Sequence, residues 1–469
     1  MGRTTKCVGG DLMAITLERP AFYENKRYAE YCGLSTDNKA DIKANNADEF
    51  YEIDTGDVYK YAEGSGWIKQ ASQGGGGSQD LLPPWTVEDA GKVLTIGADG
   101  ILTWEIPPGY ELPDYLCFTA EETGSTVAMA VKGTPTEGQA FEYSTNGTNW
   151  SEFIPGTTTI TLANVGDKVY FRGDNITVSE TNFSYYKFVM SGRIAASGNI
   201  MSLLDKTCQS TTISKDYCYY DMFANCTSLT TAPALPATTL ANYCYAYMFS
   251  GCTSLTTAPA LPATTLKSNC YAYMFNNCTS LTTAPALPAT TLANYCYGHM
   301  FYFCTSLTTA PALPATTLAN YCYESMFNFC TSLTTAPALP ATTLKSNCYD
   351  RMFASCTGLT TAPALPATTL ASSCYEYMFS SCASLTTAPS LPATTLVSSC
   401  YNGMFNGCTS LQVYSSSETG HDKAWTIPTN GTASSYTSQN RMFYNCPGSY
   451  TSSSTVSLNT TFYTQNTPV

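Results

Sequence analysis

Charge is scarce in this chain. Asp, Glu, Lys and Arg make up 12% of its 469 residues, about half of the ~25% usual in a soluble protein. The charge present carries a negative excess of 13, so nothing offsets phosphate repulsion and no nucleic-acid partner is expected. Histidine is nearly missing, with only His299 and His421. Two imidazoles support no Ser/His/Asp arrangement, and without a Cys-x-x-Cys pair no zinc site can be read from spacing. There is no phosphate-binding glycine loop; Gly74 to Gly77 has linker composition. No acid/base carboxylate pair stands out, since Asp54 and Asp57 fall in a turn and Glu121 and Glu122 in a loop. No catalytic, cofactor or metal residues are therefore assigned, and an enzyme is not expected.

Long apolar runs are missing too. No stretch approaches the length of a membrane span, so no membrane insertion is expected. The opening MGRTTKCVGGDLMAITLERPAFYENK has no uninterrupted apolar core and does not read as a secretory signal. Lys6 leaves the myristoylation pattern incomplete.

What the chain has in abundance is itself. Eight times between Cys218 and Leu411 it writes nearly the same 26 residues, as in Cys244-YAYMFSGCTSLTTAPALPATTLKSN. Such a period signals a solenoid, whose coils bury their apolar sides only by stacking on one another. Cys-Tyr-x-x-Met-Phe-x-x-Cys suits a short helical turn with Met and Phe inward. The Leu229, Leu235 and Leu240 positions should line the core, while Pro233 and Pro236 break helix and make Ala232-PALPATTL irregular or strand-like. After Leu411 the pattern fails until Arg441-MFYNC, which reads as a degenerate capping coil.

Sixteen of the 21 cysteines belong to two repeat columns, eight residues apart within a coil. On a helical turn that separation is about 12 Å at 1.5 Å per residue, too far for a bridge. A ladder of equal neighbours about 4.8 Å apart has no unique pairing either. The cysteines read as small buried packing groups, in which occasional bridges are the alternative.

The rest of the chain is mainly β. Residues 1–70 form a first module in which Phe50-YEIDTGDVYKYAEGSGWIKQ predicts a β-meander. Residues 71–80 are a Gly/Ser tether. Residues 81–110 hold two short strands, Lys92-VLTI and Ile101-LTWEI, too little for a core of their own. Residues 111–200 predict a β-sandwich from the candidates Val127-AMAVKG, Phe141-EYS, Thr157-TTITL, Lys168-VYFRG and Tyr186-KFVM. The array takes 201–411 and the cap 412–469.

The unit MFxxCTSLTxxPxLPATTLxxxCY resembles the BspA-like leucine-rich repeats of bacterial surface proteins, over roughly 208–411 and the cap. Leu82-PPWTVEDAGKVLTIGADGILTWE resembles a segment of tailed-phage fibre and head-fibre proteins, and the Phe50 stretch resembles an N-terminal particle-attachment module. Together these resemblances imply a virion appendage with its anchor first and its tip last, a homotrimer assembled in the host cytoplasm and exposed on the particle. Cytoplasmic assembly would keep its thiols reduced. A head fibre is favoured over a tail fibre. Residues 1–70 would hold capsid or other virion proteins, with Phe50, Tyr51, Tyr59 and Trp67 as candidate anchors. The array would meet a host surface protein, mucus or a glycan. The alternatives are a bacterial surface adhesin with the same repeats and, more remotely, a depolymerising tailspike.

Against near-identical repeats, the positions that differ stand out. One column runs Asp221, Tyr247, Tyr273, His299, Ser325, Arg351, Tyr377, Gly403; beside it lie the pairs that include Tyr302-Phe303 and Asn328-Phe329. With the core residues inward, these positions are expected on a solvent-exposed edge. Tyr247, Tyr273, His299, Tyr302, Phe303, Phe329, Arg351 and Tyr377 are the candidate binding face, because aromatics supply contact area at low entropy cost. The competing reading is that exposed positions drift. The repeated tyrosines from Tyr219 to Tyr401 read as a structural ladder.

Overall fold

The computed structural model describes residues 114–135, 139–426, 441–448 and 460–465 in full. It also gives the backbone of eight strands between residues 21 and 105 and of residues 430–431. The chain divides into two compact units, Met1–Tyr110 and Glu111–Val469.

In the first unit, strands Glu30–Gly33, Glu49–Glu52, Val58–Ala62 and Gly66–Lys69 pair in that order, the first pair parallel and the others antiparallel. Phe50 lies opposite Tyr59 and Tyr59 opposite Lys69, as the alternating residues there predict. Val93–Ile96 and Leu102–Glu105 form an antiparallel hairpin. The side chains of Phe50, Tyr51, Tyr59 and Trp67, and the tether at 71–80, lie outside the described residues.

The second unit opens with two sheets. Ser125–Lys132 is the middle strand of three, between Thr159–Leu162 and Tyr185–Ser191. The larger sheet runs Ser151–Phe153, Phe141–Ser144, Lys168–Gly173, Leu116–Ala120, Ile194–Ser197, Leu229–Thr231. Rings join the two: Phe188 of the smaller sheet packs edge-on against Phe118 (4.8 Å) and Phe171 (5.2 Å) of the larger. Its last strand, Leu229–Thr231, already belongs to the first repeat and runs parallel to Ile194–Ser197. The sheets therefore pass into the repeats without a break in hydrogen bonding.

They do so by imitating a coil. Phe188 N–H donates to Met222 O at 2.8 Å, as Phe223 N–H donates to Met248 O one coil on. The Phe188 ring stacks on Phe223 at 5.3 Å, and Phe188 O accepts the Cys226 thiol. At the far end Phe443 stacks on Phe405 at 5.7 Å, and Phe443 in turn meets Phe462 at 4.6 Å. Both open faces of the stack are covered by rings that match its own.

Within a coil the Cys-Tyr-x-x-Met-Phe-x-x-Cys segment is not helical, and this corrects the expectation. Alternate N–H groups leave the coil altogether: Tyr245, Tyr247, Phe249 and Gly251 donate to Cys270, Ala272, Met274 and Asn276, each 25 residues ahead, at 2.7–3.0 Å. The N–H groups between them turn back three residues, as Met248 does to Tyr245. Every fourth residue is left-handed, with φ of 55° at Tyr243, 59° at Tyr247 and 75° at Gly251. A right-handed helix cannot absorb that repeat. The segment is a chain of tight turns whose regular partners are the neighbouring coils.

The opposite side is extended and held by isolated parallel bridges, running from Thr231 through Thr257, Thr283, Thr309, Thr335 and Thr361 to Thr387. Between the two sides lies the core. Leu, Met, Phe, Cys and Tyr columns are buried from Cys218 to Leu411, except that Leu370 and Leu391 are half-buried. The Phe rings stack at 5.3–5.7 Å and the Tyr rings at 5.7–6.0 Å.

Candidate functional site

The turn edge is built by the left-handed positions. Three occur per coil, each where a column of varied residues stands, and their φ values lie between 48° and 77°. Glycine, asparagine and aspartate tolerate this region, whereas a bulky side chain there is an outlier. Here the inter-coil bonds of the same residues hold the backbone in place, so large residues are accepted at a cost.

Those side chains form one strip. Tyr247 stacks on Tyr273 at 4.5 Å and Tyr273 on His299 at 4.3 Å. His299 meets Tyr302 edge-on at 5.7 Å, and Tyr302 touches both Phe303 (4.9 Å) and Phe329 (5.8 Å). Phe303 and Phe329 stack at 4.2 Å. Beyond the small, buried Ser325 the column resumes with Arg351, whose guanidinium lies 4.9 Å over Tyr377. All eight candidate residues are thus in one strip, Arg351 and Tyr377 as a separate pair.

The expected exposure needs correction. Tyr247, Tyr273, His299, Tyr302, Phe329, Arg351 and Tyr377 are half-buried, and only Phe303, at 36%, counts as exposed. Stacking is the reason: a ring repeated at every rung covers the faces of its neighbours and shows solvent mainly an edge. A second column, which the sequence did not single out, does likewise, with Tyr217 on Tyr243 at 4.6 Å and Tyr295 on Tyr321 at 4.3 Å.

Carboxylates enter the strip in coils five to seven at one position, as Glu324, Asp350 and Glu376. Asp350 is buried and accepts two bonds from Arg351 Nη1, at 2.8 and 3.1 Å. Burial, helped by Glu376 and Glu324, nevertheless raises its pKa to about 7, against the pull of Arg351. Glu324 is also raised, chiefly by burial. The nitrogen beside it, His299 Nε2, is 3.8 Å away, but burial and the field of Arg351 lower that imidazole to about 4 and keep it neutral at pH 7. Glu376 Oε1 accepts Asn402 Nδ2 at 2.7 Å.

The cysteine columns have no part in this edge. Every cysteine among the described residues is free. In the second column each thiol donates to the Phe carbonyl of the preceding coil, as Cys278 Sγ does to Phe249 O and Cys304 Sγ to Phe275 O, both at 3.1 Å. They are packing groups that also satisfy a buried acceptor. A shallow cavity of about 370 Å³ lies on the Thr–Pro side near Pro366 and Pro392, bordered by Lys423, which donates to Ala388 O. Among the described residues no group of His, Cys, Asp and Glu side chains is placed to hold a metal ion, and no helix is long and apolar enough to cross a membrane.

Compared with known families, residues 206–334 and 342–422 match the BspA type leucine-rich repeat region. A repeat region of that kind is present in this chain. Neither a curated protein nor a solved structure matches it.

Proposed function

We propose that this chain is a non-enzymatic adhesion protein that meets its partner along the turn edge of the repeats. A contrast between two sides of the same coils carries the reading. In coils two to six, Thr256, Thr257, Ala260, Pro262, Thr264, Thr265 and their equivalents are exposed, and they are identical in all five coils. The four turn-edge positions of those coils read Ala-Tyr-Ser-Gly, Ala-Tyr-Asn-Asn, Gly-His-Tyr-Phe, Glu-Ser-Asn-Phe and Asp-Arg-Ala-Ser. Exposed substitutions usually change stability by less than ~0.5 kcal/mol, so drift would mark the Thr–Pro side first. It has not. Divergence concentrated in the turn edge and in the run that leads into it, Lys267 to Asn269 and its equivalents, is what selection for contact leaves behind.

The test replaces the edge residues of coils four and five with those of coil three and measures retention on candidate host cells. Retention should fall at least about tenfold, a loss of roughly 1.4 kcal/mol, with the melting temperature little changed. Equal retention would remove the basis of the reading.

For the setting we favour a virion fibre, held by residues 1–70 and presenting the array outward as a homotrimer, in head position ahead of tail. The order of segments supports it, as does the hairpin Val93–Ile96 with Leu102–Glu105 inside the fibre-like stretch. A bacterial surface adhesin is the second reading, and the repeat-family match supports it equally. Mixing purified particles with the full chain and with a chain lacking 1–70 separates them. Decoration by the full chain alone supports the fibre; no decoration by either supports the adhesin.

A further inference from the structure

We propose that the turn edge of coils four and five is a receptor for a cationic side chain, a lysine ammonium or arginine guanidinium of a partner protein. The proposal rests on the adhesion reading for where contact is made, and it names the chemistry of that contact.

The first support is backbone strain without a folding reason. Phe303 and Phe329 stand at φ of 61° and 63°. The same position elsewhere carries Asn225, Gly251, Asn277, Ser355, Ser381, Gly407 and Asn445. Left-handed backbone at a bulky residue costs of order 1–2 kcal/mol, and a stacked ring pair returns roughly 0.5–1.5 kcal/mol. Asparagine would incur little of that cost. At this position only these two coils accept it, and Phe303 is left exposed.

The second support is a related set, already filled, one coil on. There Asp350, Arg351 and the Tyr377 ring form a closed set of carboxylate, cation and aromatic face. One coil earlier, the residue equivalent to Asp350 is Glu324, the residue equivalent to Arg351 is Ser325, and the residue equivalent to Tyr377 is Arg351. The aromatic faces here come from other positions, with Tyr302 in contact with Phe329 and with His299, whose Nε2 lies 3.8 Å from Glu324. Glu324 has no cation bonded to it. His299 is neutral, and Arg351, whose field reaches Glu324, is bonded to Asp350 and lies over Tyr377.

The unmet group points the same way. Glu324 accepts no hydrogen bond from a protein donor among the described residues beyond the distant imidazole. A sugar hydroxyl could donate to it but would leave its charge unanswered. An ammonium or guanidinium answers the charge and lays its aliphatic stem across Tyr302 and Phe329.

Calorimetric titration of the full chain with penta-arginine, penta-lysine and maltoheptaose tests this. Both cationic peptides should bind and maltoheptaose should not, with affinity falling as salt rises from about 50 to 300 mM. Glu324→Gln and the double variant Phe303→Asn/Phe329→Asn should each weaken binding about tenfold or more. Ser325→Arg should fill the site from within and abolish binding; Glu324→Gln, nearly isosteric, keeps the test valid if that variant misfolds. Peptide binding unchanged in Glu324→Gln would assign it to the general acidity of the chain and overturn the proposal, as would binding of maltoheptaose alone. Cell retention that survives Glu324→Gln but is lost in the edge-replaced chain overturns the cationic ligand and leaves the adhesion reading standing. Retention indifferent to both removes that reading as well.

Discussion

A phenol hydroxyl in a dry core needs an acceptor, and the tyrosine ladder supplies one unevenly. Tyr219 Oη donates to Ile200 O at 3.1 Å. Tyr245, Tyr271 and Tyr349 are equally buried, yet their hydroxyls have no hydrogen-bond partner. An unsatisfied buried group costs about 1–3 kcal/mol, whereas deleting it with its ring kept in place costs little. Tyr271→Phe should therefore leave stability unchanged or raise it by up to about 1 kcal/mol, while Tyr219→Phe should lower it by about 1 kcal/mol. Urea unfolding midpoints of the two variants decide this, and equal losses would mean that the inner hydroxyls do find partners. Asp350 offers a second measurement. Its native pKa, raised to about 7, means the folded state holds that proton more tightly than the unfolded chain does. The fold is thus favoured at low pH, and the benefit is lost as pH rises from about 4 towards 7. His299 acts oppositely: lowered to about 4, it takes stability away as pH falls from about 6.5. The two offset each other in the acid range. Asp350→Asn should melt a few degrees above the parent near pH 8 and converge with it near pH 4. A constant difference across that range would contradict the assigned titration.

The coil is the element at which sequence reasoning both succeeded and failed. Cys, Tyr, Met, Phe and Cys at positions one, two, five, six and nine are buried in every full coil, and their inward direction was legible from spacing. The backbone that delivers them was not. A repeat of four residues differs from 3.6 by too little, over nine residues, to be told from a helix. What distinguishes them is a left-handed residue at every fourth place, and Tyr247, Arg351 or Phe329 at such places gives no warning. Asn225, Gly251, Asn277 and Gly407 in the same column could have given it. The half-buried state of the candidate strip was hidden for a related reason, because stacking between rungs is a property of neighbours and not of one coil. The cysteines were read correctly as packing groups, but their bond to the Phe carbonyl needed coordinates. That bond and burial, which pushes Cys304 up to about 12, have a measurable consequence. The thiols of both columns should not react with an aromatic disulfide reagent in the native protein and should all react after unfolding. Fast native labelling of Cys278 or Cys304, located by peptide mapping, would mean that the stack opens locally.

At the scale of the second unit, the identity of successive interfaces is the property from which most follows. Each coil presents to the next the same Phe, Tyr, Met and Leu columns, the same thiol donor and the same N–H partners 25 residues ahead. Removing residues 270–295 would therefore place the Cys296 coil on the Cys244 coil with no new kind of contact. Tyr297 would stack on Tyr245, and Cys304 would donate to Phe249 in place of Phe275. Repeat stability is close to a sum of coil and interface terms, so the shortened chain should fold, with a modestly lower urea midpoint and a smaller slope. The end caps are untouched, because Phe188 still meets Phe223 and Phe443 still meets Phe405. Deleting thirteen residues from the same place is the control. It would set the turn edge of one coil against the Thr–Pro side of the next, leaving the alternate N–H groups without acceptors, and should abolish cooperative unfolding. Peptide binding at coils four and five should survive the whole-coil deletion, since Gly251 N–H takes the place of Asn277 N–H on Tyr302 O and Tyr247 that of Tyr273 on His299. A collapsed or aggregated product from the 26-residue deletion would show that the coils are not interchangeable. Stability would then have to come from differences among them, in the very columns assigned here to recognition.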